Sequence, residues 1–190
     1  MAQPGALRSS AFETAVEALY RVFARYAPAG LVMGCMHCMS EEEMARLTAT
    51  PLRAHTGESL GNYAFKAMTT WGTESDFKYY LPRILELFPF QSVGAVFPEL
   101  VAEKILMAGW KDWPEEEHVA VRTYVEALWD LLLTCEVDSM KLQAEDVLGW
   151  AARLFDDVDA LLSAWERNLA PAADVHIARL VEAFGYQPES

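Results

Sequence analysis

The 190-residue chain has no apolar run approaching the roughly 20 residues that a membrane span requires. Its longest candidates, AGLVMGCM (29–36) and ALWDLLLTC (127–135), are short or broken by charge. The amino-terminal stretch places Glu13 and Glu17 where a signal peptide needs uninterrupted apolar residues. These absences predict a soluble cytoplasmic protein with no membrane partner. Cysteine is scarce as well: there are three, an odd number, and only Cys35 and Cys38 lie close together. That excludes a disulfide framework and fits a reducing compartment. Strict alternation of apolar and polar residues is missing, so no sheet is expected, and FQSVGAVF (90–97) reads as a loop. No Gly-x-Ser-x-Gly elbow, P-loop, dinucleotide fingerprint or His-Glu-x-x-His occurs, so no familiar catalytic motif argues for an enzyme.

Basic residues are also thin in one half. Residues 96–190 hold 7 Lys and Arg against 19 Asp and Glu, whereas residues 1–95 hold 8 against 9. Such a surface repels phosphate backbones and excludes nucleic acid as a natural partner. It predicts either a solvated acidic face or a docking surface for a basic protein partner. In its most concrete form the protein is a non-enzymatic scaffold or a bacterial immunity protein that neutralises a cationic toxin. The carboxylates that would carry such binding are Glu115, Glu116, Glu117, Asp156, Asp157 and Asp159.

What is abundant is helical punctuation in a chain that is 53% apolar and 12% aromatic. Ser9 or Ser10 caps a first helix carrying Phe12, Val16, Leu19 and Phe23 at three- and four-residue spacing, closed by Pro28 and Gly30. Ser40 with Glu43 three residues on is a capping box. A helix over 58–69 follows, and Ser75 or Asp76 opens another in which Pro82 predicts a kink or break. Further helices are expected near 98–110, 114–134, 144–154, 157–168 and 172–184, the 114–134 helix being the most buried. The fold class is all-α: a single compact multi-helix domain of about eight or nine helices over residues 1–190, with 1–8 and 186–190 frayed. No repeat of about 34 or 40 residues stands out, although stacked helix pairs fit the pattern.

Three local patterns are candidate sites. Cys35-x-His37-Cys38 offers two thiols and an imidazole ahead of a helix. It reads as half of a zinc site, as a thiol pair near a helix N-terminus, or as apolar filler formed with Met33, Met36 and Met39. The segment TTWGTESDFKYYLPR presents Trp71, Asp76, Tyr79 and Arg83, residue types common in binding hot spots; core packing explains it better, with Trp71 beside Gly72 at a helix end and Phe77, Tyr80 and Leu81 inward, leaving Asp76, Lys78 and Tyr79 toward solvent. Glu115-x-x-His118 has the spacing of di-iron bundles but occurs once, so a solvated acidic first turn explains it. Cys135 reads as a small buried hydrophobe.

The series GCMHC, PLRAHT, LGNYAFKAMTTWG and DFKYYLPRILEL, between Gly34 and Leu87, resembles a family of uncharacterised bacterial all-helical proteins. The resemblance implies a bacterial, intracellular helical protein and imports no activity. It singles out Cys35, Cys38, Lys66, Trp71, Gly72, Asp76 and Arg83 as a group.

Overall fold

Hydroxyl side chains decide where four of the helices begin. Ser9 accepts from the amide of Phe12 at 3.2 Å, Ser40 from Glu43 at 3.2 Å, Thr56 from Ser59 at 3.1 Å and Thr73 from Asp76 at 3.3 Å. Each satisfies an amide that the first helical turn leaves unpaired, and the last three are reciprocated as capping boxes. The computed structural model describes residues 9–155 and 157–185. Among these residues there are nine α-helices and no strand. They are α1 (Ser10–Phe23), α2 (Glu41–Ala49), α3 (Gly57–Lys66), α4 (Glu74–Leu87), α5 (Pro98–Met107), α6 (Glu115–Thr134), α7 (Ala144–Phe155), α8 (Asp159–Arg167) and α9 (Pro171–Gly185). Short 3-10 turns extend α1 (Ala24–Tyr26) and precede α3 (Leu52–Ala54) and α6 (Trp110–Asp112). The expected all-α single domain is what the chain forms, and 90–97 is a loop. The terminal segments expected to fray lie outside the described residues.

Helix α6 is the axis. Its 20 residues span about 30 Å, and it packs against α1, α7, α8 and α9. Val121, Tyr124, Val125, Leu128, Trp129 and Leu132 are fully covered on several of its sides. Helix α4 lies against α1 and α3, and α5 against α7. All of this forms one continuous apolar core. No helix among the described residues is long and apolar enough to cross a membrane.

The six tryptophans hold the helices in register. Every indole N–H donates to a backbone carbonyl: Trp71 to Val32, Trp110 to Leu154, Trp113 to Ala108, Trp129 to Leu161, Trp150 to Pro98 and Trp165 to Ala173. A bond of this kind contributes about 1 kcal/mol net, and it fixes which carbonyl each ring must meet.

Two expectations are corrected here. Helix α4 is not broken at Pro82; it continues from Glu74 to Leu87, because Phe77, Tyr80, Leu81, Ile84 and Leu85 are all buried around the proline and their packing outweighs one missing hydrogen bond. Its cap is Thr73 rather than Ser75 or Asp76, Asp76 instead returning its carboxylate to the Thr73 amide at 2.7 Å.

Candidate functional site

In the acidic first turn of α6, Glu115 and Glu116 are exposed as expected, but the third acid is not solvated. Glu117 is completely buried, and its Oε1 accepts from Arg25 Nη2 and from Tyr26 Oη, the latter at 2.5 Å. Its Oε2 lies 3.2 Å from the Lys78 ammonium as an ion pair. Lys78, expected toward solvent, is buried too, paired with Glu74 at 2.9 Å and set over the rings of Trp113 and Tyr26. Burial pulls the Lys78 pKa down, but Glu74 and Glu117 outweigh it and hold the ammonium above its ordinary value. Glu116 is taken by Arg25. Of the carboxylates proposed to meet a basic partner, only Glu115, Asp157 and Asp159 are exposed without a cation partner among the described residues; Asp156 lies outside them.

The second candidate group is structural in the same way. Trp71 is buried, and Asp76 is spent on its cap. Tyr79 packs edge-on against Tyr80. Arg83 donates twice to the His55 carbonyl, at 2.8 and 2.6 Å, and once to Glu86 at 2.6 Å.

The cysteine segment behaves differently. Met39 sinks into the core, but Met33, Cys35, Met36, His37 and Cys38 are all exposed, so the filler reading fails for every one of them except Met39. A single turn holds the pair: the amides of Cys38 and Met39 both donate to the Cys35 carbonyl, at 2.8 and 3.0 Å. A turn closed in this way keeps its end Cα atoms within about 7 Å, near the separation a disulfide spans. The turn is pinned to the segment after α3. The Cys35 amide donates to Thr70 at 2.7 Å, and the Gly72 amide to Met33 at 2.8 Å. Lys66 Nζ donates to the Cys38 carbonyl at 3.1 Å.

Two glycines permit this close crossing. Gly72 has φ +74, and a Cβ there would lie 3.2 Å from both Asp76 and Val32. At Gly34 a Cβ would sit 3.0 Å from Met39 and 3.1 Å from Trp71. Cys35, Cys38, Lys66, Trp71, Gly72 and Asp76 are therefore one knot, in which four residues hold the dithiol out from the surface. Arg83 stands apart, at His55.

The two thiols are not equivalent. The His37 amide, the Cys38 thiol and the Cys38 amide turn toward the Cys35 sulfur and lower its pKa below the ordinary thiol value. The Cys38 thiol, donating to that sulfur, is pushed up, with Lys66 partly opposing. Among the described residues, no three His, Cys, Asp or Glu side chains come together to hold a metal ion, so a zinc at Cys35, His37 and Cys38 has no assembled ligand set in this arrangement.

Beside the knot, and sharing Trp71 with it, a cavity of about 370 Å³ opens between α2 and α3. Glu43, Arg46, His55, Ser59 and Asn62 line it. His55 is buried, its Nδ1 lies 3.3 Å from the Ser59 hydroxyl, and its Nε2 makes no hydrogen bond. Burial pushes the His55 pKa down, with nearby backbone carbonyls opposing and Arg83 adding to it. The sequence offers His55 as one histidine that a metal site at Cys35 and Cys38 could recruit; the structure places it at this cavity instead, beside Ser59. Cys135 is buried as expected, and burial raises its thiol pKa. Comparison of the chain with family models, curated proteins and solved structures finds no match.

Proposed function

We propose that the protein acts through Cys35 and Cys38 as a thiol–disulfide exchange protein. The observation that carries this reading is a pair of exposed thiols three positions apart on one turn that Thr70, Gly72 and Lys66 pin at the surface, with the His37 and Cys38 amides turned toward the Cys35 sulfur. Those amides favour the thiolate at Cys35, which makes it the attacking thiol and Cys38 the resolving one. The Cys35 thiolate attacks one sulfur of a partner disulfide, forming a mixed disulfide and releasing the partner's other sulfur as a thiolate, which takes a proton. Cys38 then loses its proton and attacks the Cys35 sulfur, closing the Cys35–Cys38 disulfide and expelling the partner's second thiolate, which is protonated in turn. The partner disulfide gains two electrons and two protons, and the dithiol loses both.

The acidic-partner reading is weaker in comparison, since Glu117 and Glu116 are committed to Arg25 and Lys78 within the fold. The test is alkylation by iodoacetamide as a function of pH, together with titration in glutathione redox buffers read by intact mass. Half-maximal alkylation of Cys35 below the ordinary thiol range of about 8.5 is expected, with Cys38→Ser leaving Cys35 reactive and abolishing the intramolecular disulfide. If no Cys35–Cys38 disulfide forms under oxidising glutathione, the reading fails. Stoichiometric zinc in untagged protein, lost in the Cys35→Ser/Cys38→Ser variant, would replace it with a metal site.

A further inference from the structure

The acid-rich half of the chain contains a cleft with the opposite character. It lies between the 3-10 turn Trp110–Asp112, the beginning of α6 and the end of α7, with a volume of about 440 Å³. Three of that half's seven basic residues, Lys111, Arg122 and Arg153, line it, and among the described residues no carboxylate does. All three are exposed, and none makes an ion pair or hydrogen bond with a described carboxylate. Arg25, Arg53, Lys78, Arg83 and Arg179, by contrast, all have acidic partners.

The cleft has a rigid aromatic wall. Trp110 is buried, with its indole N–H held by the Leu154 carbonyl at 2.6 Å. The His118 ring stacks flat on Trp110, with centroids 4.1 Å apart and planes 13° apart. His118 Nε2 lies 2.8 Å from the Trp110 carbonyl, so that nitrogen carries a proton and donates. The Arg122 guanidinium lies 4.3 Å above the Phe155 ring, which fixes the plane of its donors.

Three cations held around one cavity repel one another, and in a chain of net charge −13 many carboxylates were available to neutralise them. A small oxyanion does this better than any side chain present, because guanidinium forks meet phosphate or carboxylate oxygens two at a time. We propose that the cleft binds a small, multiply charged oxyanion through Arg122, Arg153 and Lys111. The volume falls in the range of small-molecule sites.

The experiment is calorimetric titration of the full chain with pyrophosphate and, separately, with citrate, at low and at physiological salt. Saturable one-site binding of at least one probe is expected, weakening by about tenfold or more in the Arg122→Gln/Arg153→Gln variant. Both arginines are exposed, and circular dichroism of the variant checks that the fold is kept. Arg46→Gln, in the cavity between α2 and α3, should leave affinity unchanged. Binding of pyrophosphate alone assigns a phosphate ligand, and binding of citrate alone a polycarboxylate. Absence of saturable binding for both probes, or binding indifferent to the double substitution, overturns the proposal. Neither result depends on whether Cys35 and Cys38 exchange disulfides.

Discussion

The sequence Glu-Glu-Glu opens two helices in this chain, and the two triplets meet opposite fates. In α2 the third glutamate, Glu43, returns to its own cap: its carboxylate accepts from the Ser40 amide at 2.9 Å and from Asn62 at 3.0 Å, and stays at the surface. In α6 the third glutamate, Glu117, occupies the same helical position but turns inward to Arg25, Tyr26 and Lys78. The residue before each triplet explains part of this. Ser40 offers both a hydroxyl and an amide to a capping box, whereas Pro114 has no side-chain donor and no N–H for a carboxylate to return to. The rest is tertiary: the 3-10 turn after α1 and the start of α4 bring Arg25 and Lys78 to that end of α6. The same three letters therefore make a surface cap in one place and a buried ionic junction of three elements in the other.

Removing one carboxylate at a time gives the widest separation between the two. Glu117→Ala leaves Lys78 buried with only Glu74 to balance it, and a loss of about 3–5 kcal/mol is expected in urea unfolding at neutral pH. Glu43→Ala should lose far less, since solvent reaches everything it contacts. Similar losses in the two variants would mean that the buried junction contributes no more than a cap.

The junction itself is sharpened by a double-mutant cycle. Lys78→Met alone strands Glu117 against Arg25, while Lys78→Met with Glu117→Leu replaces the pair by apolar groups and frees Arg25 to reach solvent and Glu116. The double variant should be more stable than the sum of the singles by on the order of 1–3 kcal/mol.

The contrast also shows how far the sequence could be read. Short-range signals were legible: the Ser40–Glu43 box, the α1 stripe of Phe12, Val16, Leu19 and Phe23, and the dominance of α6 all follow from neighbours within one or two turns. What was not legible depends on contacts across the fold. Glu117 meets Arg25 from 92 positions away, and Pro114 tells only that Glu117 has no box to close, not where its carboxylate goes. Helical spacing puts Phe77, Tyr80 and Leu81 inward and Lys78 toward solvent, and its burial follows from Trp113, just ahead of α6, and Glu117, in its first turn. At the cysteines the spacing was visible, but their place at the surface depends on how Thr70, Gly72 and Lys66 hold the turn. The Lys111, Arg122 and Arg153 cleft was hidden for the same reason, since those residues are spread over three elements.

Smaller effects come from the residue before each triplet. Ser40→Ala removes the hydroxyl that accepts the Glu43 amide and should lose about 1 kcal/mol. Pro114→Ser offers α6 a cap but loosens the unfolded chain, two effects of about 1 kcal/mol or less that oppose each other. A net change near zero is expected, with Glu117 still paired. A large gain in stability would show that proline, rather than Arg25 and Lys78, sends Glu117 inward.

The smallest effect is a dependence on pH that belongs to α2. The Ser40 amide and hydroxyl, ahead of a contribution from Lys66, hold the Glu43 pKa below its unfolded value of 4.5. With the folded pKa the lower of the two, the unfolded chain binds the proton first as pH falls. The stabilisation from Glu43 is therefore fully present above pH 4.5 and is lost as pH drops through the folded-state value. Glu43→Gln removes this component, so its melting temperature should fall below that of the unsubstituted chain at neutral pH and approach it in acid. Glu17 is held low in the same direction by Arg53 and titrates in both proteins, so the difference between the two curves isolates Glu43. A constant gap across the whole acid range would mean that the carboxylate contributes nothing through its charge, and that the α2 triplet is held by Ser40 alone.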